Sequence, residues 1–180
     1  VGPDGLAGSL PAKQPDTFST FGLAVNPSAY PSFPYSTVGR LFFTQYGVNY
    51  SCAGAMIKGH AFWTAGRCAH AGNRSPGGWS YNAVFVPQYH YGSAPLGYCY
   101  VQSWWTTGDW YANGALDHNY AGGNLSCDYR NIASYTGYLG LAWNQGYSNT
   151  WTALDINLPG VTFSPYYDGS VYTLWTSLWS

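Results

Sequence analysis

An all-β fold is what this sequence predicts, and three observations predict it. Short runs rich in β-branched and aromatic residues recur between Gly, Pro and Asn clusters, as in a barrel or sandwich of many short strands. No segment sustains an apolar period of 3.6 residues between helix caps. A composition of 46% hydrophobic and only 7% charged residues is the reverse of what disorder needs.

The elements follow in order. Residues 1–36 carry six of the eleven prolines and almost no periodicity, so they read as an extended Pro-rich arm lying on a body. From Thr37 the texture changes, and residues 38–44, 53–57, 60–64, 81–86 and 98–105 read as strands. One turn of helix fits after Cys68. In the second half, residues 131–143, 151–158, 161–163 and 171–179 read as strands, split by Asn144-Gln145-Gly146, Pro159-Gly160 and Asp168-Gly169. No internal repeat of fixed period is visible.

Composition also excludes function classes. All seven acids are Asp, and the net charge of −1 with six scattered Lys and Arg offers nucleic acid no basic patch. No apolar run approaches the roughly 20 residues of a membrane span. No C-x-x-C or H-x-x-x-H spacing points to a metal, and nothing implies a cofactor. Four cysteines in a Gly-, Tyr- and Asn-rich chain fit two disulfides and an oxidising compartment. Four cysteines allow three connectivities. Two short strands joined by a turn around Lys58-Gly59-His60 suit a hairpin stapled by Cys52 and Cys68, which leaves Cys99 with Cys127. A start at Val1 reads as a processed secreted chain. Asn49-Tyr50-Ser51, Asn73-Arg74-Ser75 and Asn124-Leu125-Ser126 are N-glycosylation sequons, so Asn49, Asn73 and Asn124 are candidate glycan sites of a secreted, extracellular protein.

The stretch Trp63-Thr64-Ala65-Gly66-Arg67-Cys68 resembles the histidine loop of trypsin/chymotrypsin-like serine proteases, T-A-[AG]-H-C. Further segments are similar to the glutamyl-endopeptidase-like branch of that superfamily. Val38-Gly39-Arg40-Leu41-Phe42-Phe43 is similar to its first barrel strand, and Cys52-Ala53-Gly54-Ala55 to its C-[ST]-[AG]-[ST]. Asn119-Tyr120-Ala121-Gly122-Gly123-Asn124-Leu125 resembles the strand bearing the triad Asp. Gly137-Tyr138-Leu139-Gly140-Leu141 and Leu158-Pro159-Gly160 resemble its G-[WY]-x-G and G-Y-P-G segments. The resemblance covers roughly residues 37–180. It implies a trypsin-like double β-barrel: an arm over 1–36, a first barrel over 37–128 and a partial second barrel over 129–180.

The departures from the family pattern bear on chemistry. Arg67 stands where the general base belongs, and a guanidinium has no acceptor and keeps its proton. Asn119 stands where the Asp belongs and carries no charge to stabilise an imidazolium. Asp117 lies two residues before it, in reach of a shifted register, and His70 lies three residues after Arg67. The motif G-x-S-G-[GS]-P is absent, the chain stopping about where it would begin. Gly122 and Gly123 replace apolar residues and are expected to weaken or bulge their strand. His60, His90 and His118 read as ordinary imidazoles.

These features imply a secreted, catalytically inactive domain acting by binding or self-assembly. An alternative is part of a secreted serine endopeptidase whose Ser-bearing segment lies outside this chain. A third reading is a carbohydrate-binding surface, because Trp104, Trp105, Trp110, Tyr111, Trp175 and Trp179 exceed what one small core holds. An incomplete second barrel presents strand edges, which invite a complementing chain, a second copy or, less favoured, the N-terminal arm.

Overall fold

The computed structural model describes residues 21–140, 150–155 and 172–177, with side chains over 25–140. The strands of the described residues are β1 (Phe21–Ala24), β2 (Val38–Gln45), β3 (Val48–Lys58), β4 (Ala61–Ala65), β5 (Tyr81–Pro87), β6 (Cys99–Thr106), β7 (Tyr120–Cys127), β8 (Thr150–Asp155) and β9 (Tyr172–Ser177). Six of them close into an antiparallel barrel in the order β2-β3-β4-β7-β6-β5, with β5 returning to β2.

Local chemistry sets this order. Gln45 opposes Val48, so Tyr46 and Gly47 form a two-residue turn, with φ of 50° and 77°. Positive φ at both positions matches the right-handed twist of the flanking strands and closes the β2–β3 hairpin. Inside the barrel Leu41, Phe43, Met56, Phe62, Phe85 and Leu125 form the core. Phe62 stacks on Phe85 at 5.2 Å and meets the edge of Trp104 at 5.6 Å.

Two disulfides staple the barrel, Cys52–Cys68 and Cys99–Cys127, with sequence separations of 16 and 28. In the chain-entropy account such loops contribute about 3.1 and about 3.6 kcal/mol. Cys99 directly opposes Cys127 across β6 and β7.

Among the described residues three short helices interrupt the strands: α1 (Gly66–Ala69), α2 (Gly108–Asn113) and α3 (Ala133–Thr136). The helical turn at the cysteine hairpin thus contains Cys68 instead of following it. Helix α2 was not expected, yet its caps stand in the sequence. Thr107 Oγ1 accepts from the Trp110 N–H at 3.1 Å, and Gly114 closes the other end with φ of 62°.

The strand expected over 131–143 is corrected over its described part, where α3 and a Gly137 end with φ of 67° stand instead. Ile132 is fully buried, and the Thr136 hydroxyl donates to the Ile132 carbonyl, which keeps the segment curled. The expected strand at 161–163 lies outside the described residues, as do parts of those at 151–158 and 171–179.

The Pro-rich segment joins the body through two 3-10 turns, Pro27–Ala29 and Tyr35–Thr37. The Ser36 hydroxyl donates to the Thr136 carbonyl at 2.7 Å, tying the segment to α3. A second sheet has the order β1-β9-β8, antiparallel throughout. Here the arm itself covers one side of β9, the option the sequence favoured least. The outer edges of β1 and β8 pair with no further strand among the described residues.

Candidate functional site

Arg67 and Asn119 meet at one end of two neighbouring strands. Ala65, at the end of β4, opposes Tyr120, at the start of β7. The residues just beyond, on α1 and before β7, are thereby brought together. Asn119 Oδ1 accepts from the backbone N–H of Arg67 at 2.9 Å. The Cys52–Cys68 bridge holds the next residue, and Trp110 fills the space behind Gly66, where a Cβ would lie 2.8 Å from the indole. The Trp110 Nε1–H donates to the His70 carbonyl at 2.8 Å.

Two positions that the resemblance marks as degenerate are therefore adjacent, with a guanidinium and an amide where proton transfer would need an imidazole and a carboxylate. The Arg67 side chain is half-buried. It has no lone pair to receive a proton, and the Asn119 amide adds no negative charge.

The neighbouring titratable groups are engaged elsewhere. Asp117 is exposed, and its Oδ1 lies 3.2 Å from His118 Nδ1. The His118 hydrogen bond, followed by the Asp117 backbone, holds this carboxyl below its ordinary value. His118 Nε2 faces Asp109 at 3.5 Å. It is Asn119, and not Asp117, that reaches Arg67. His70 is fully buried, with Nε2 at 2.8 Å from the Ser75 carbonyl and Nδ1 accepting from the Gly72 N–H at 3.0 Å. Those contacts fix the tautomer with the proton on Nε2 and occupy both ring nitrogens. His60 sits exposed in the β3–β4 turn, and His90 packs edge-on against Tyr30 and Tyr91.

The aromatic candidates divide. Trp110 is 6% exposed, so its place on a binding surface is corrected: it is the wedge under Gly66 and Gly72. Trp104 points inward to Phe62. Tyr111 lies 4.6 Å from the His70 ring, and its hydroxyl donates to the Arg74 carbonyl. Trp105 turns outward beside Trp63 at 5.1 Å. The Trp175 side chain and all of Trp179 lie outside what the structure describes.

All three sequon asparagines are exposed. Asn49 Oδ1 accepts from the Thr44 hydroxyl, Asn73 Nδ2 donates to the Tyr46 hydroxyl, and Asn124 Nδ2 donates to Ser103 Oγ.

An apolar cavity of about 410 Å³ lies between Pro34, Tyr35, Val38, the Ala53-Gly54-Ala55 backbone of β3, Trp63 and Leu139. Among the described residues of that lining, the Tyr35 phenol is the one ionisable side chain. Among the described residues no group of three or more His, Cys, Asp or Glu side chains is placed to hold a metal ion.

No protein-family model matches the sequence, and no curated protein matches it. Solved structures do. The chain has the fold of trypsin/chymotrypsin-like serine proteases. The protease Anisep from Arthrobacter nicotinovorans superimposes with a TM-score of 0.68 at 25% identity, over 78% of this chain and 64% of that one. AL20, a thermostable serine protease from an extremophilic microorganism, gives 0.68 at 22% identity, over 78% and 65%. A Glu endopeptidase crystallised with MPD gives 0.66 at 19% identity, over 87% and 67%. The chain thus spans less than two thirds of the length of the first two.

Proposed function

We propose that this chain is an extracellular, non-proteolytic trypsin-like domain that acts by binding. The Arg67–Asn119 contact carries the reading: the two positions at which the resemblance expects the base and its orienting acid lie together, and neither side chain present can do that work. Removing a whole triad costs a serine protease about 10⁶ in rate. Two disulfides favour an oxidising, extracellular setting.

The second reading, part of a secreted serine endopeptidase, draws on the protease neighbours and on their greater length. A fluorophosphonate probe, read by intact mass alongside casein hydrolysis, separates the two. We expect neither adduct nor hydrolysis, and covalent labelling of a serine in these 180 residues would falsify the non-proteolytic reading. The unpaired outer edges of β1 and β8 among the described residues favour a complementing chain or a second copy as partner.

A further inference from the structure

The outer face of β4, β7 and β6 carries a constellation that neither the barrel nor the Arg67–Asn119 site explains. Trp63 and Trp105 both oppose Gly122, one from each flanking strand. Their rings meet at 5.1 Å over the glycine, where a Cβ would lie 2.2 Å from the Trp105 indole. The glycine therefore makes room for an indole lying close on the sheet. Trp63 is also backed by Tyr120, stacked at 5.4 Å, so this end of the face is a rigid aromatic group.

Along the strands the same face turns polar without turning charged. Asn124 opposes Ser103, and at the bulge Gln102 is exposed, its Nε2 donating to the Tyr100 carbonyl at 3.3 Å and its Oε1 able to accept. Beyond it Tyr100, half exposed, closes the far end opposite Ser126. From Gly122 to Ser126 the strand rises about 13 Å at the usual 3.3 Å per residue. The face is thus an indole at one end, a phenol at the other, and amides and hydroxyls between.

We propose that this face binds an uncharged oligosaccharide, a sugar ring resting on Trp105 and its hydroxyls meeting Asn124, Ser103 and Gln102. The chemistry selects that occupant. Aromatic rings take the apolar C–H face of a sugar, and neutral amides and hydroxyls exchange hydrogen bonds with its rim. An anionic or cationic ligand would find no opposite charge among these side chains. The inference rests on the non-proteolytic, binding reading and names its ligand class.

Protein produced in a bacterial host, so that Asn124 carries no sugar of its own, is titrated calorimetrically with cellohexaose, chitohexaose, xylohexaose and mannohexaose. At least one is expected to bind, and Trp105→Ala to weaken it about tenfold or more, as loss of an aromatic anchor does. Because Trp105 also covers Gly122, the exposed variants Tyr100→Ala and Gln102→Ala are measured beside it, with circular dichroism to check folding. Both should weaken binding while leaving the spectrum unchanged. Silence with all four sugars, or binding that the folded variants leave unaltered, overturns the proposal. Fluorophosphonate labelling reports separately on the binding reading, so a glycan failure without an adduct sinks this inference alone.

Discussion

His70 shows how little a residue type says about chemistry until its neighbours are known. Its ring is sealed between Trp79 and Tyr111, donates to one carbonyl and accepts one amide. His70→Ala should cost about 2–4 kcal/mol, combining lost core volume with an orphaned Gly72 N–H. Urea unfolding checks it, and an unchanged midpoint would show the ring to be dispensable. Asp117 gives the complementary case at the surface. Its carboxyl is held below the ordinary aspartate value, first by the His118 hydrogen bond. A depressed folded value means stability that is present above the unfolded value and lost as pH falls through the folded one. His118→Gln should therefore raise the Asp117 value toward the ordinary range in an NMR titration. No movement would remove His118 as the cause.

At the scale of elements, the glycines of β7 were read as a weakness and prove to be a packing requirement. The β4–β7 register runs unbroken through Gly122 and Gly123, while the bulge falls on β6, at Gln102. A Cβ at Gly122 would meet the Trp105 indole at 2.2 Å and the Phe62 carbonyl at 2.3 Å. The carbonyl is backbone and cannot turn away. Gly122→Ala should accordingly destabilise by about 1–3 kcal/mol, the range of overpacked sites. Thermal unfolding measures it, and a melting temperature equal to the parent's would mean that Trp105 does not lie where we describe it. Helix α2 was legible at this scale and missed. Its Thr107 cap and Gly114 end flank only six residues, too few to show a helical period.

For the whole molecule, the second sheet bears on assembly. The N-terminal strand β1 covers one side of β9, leaving the outer edges of β1 and β8 unpaired among the described residues. Backbone groups along such edges recruit further strands unless something shields them. Size-exclusion chromatography with light scattering should show an assembly larger than a monomer of 19.6 kDa. A monomer at every concentration would mean that these edges are shielded within the chain.

Most of the first barrel could be read from residue order alone. Strand runs at 38–44, 81–86 and 98–105 coincide with β2, β5 and β6 to within a residue or two, because runs of β-branched and aromatic residues between turn formers are a local signal. That Arg67 cannot serve as a general base was equally plain, since a guanidinium lacks an acceptor in any fold. What only the tertiary structure decided was contact across distance. It brings Asn119 and not Asp117 to Arg67, buries Trp110 while turning Trp105 outward, and folds the arm onto β9. Each depends on which elements become neighbours, and contacts such as Trp110 with His70, 40 positions apart, or Arg67 with Asn119, 52 apart, leave no local pattern to read.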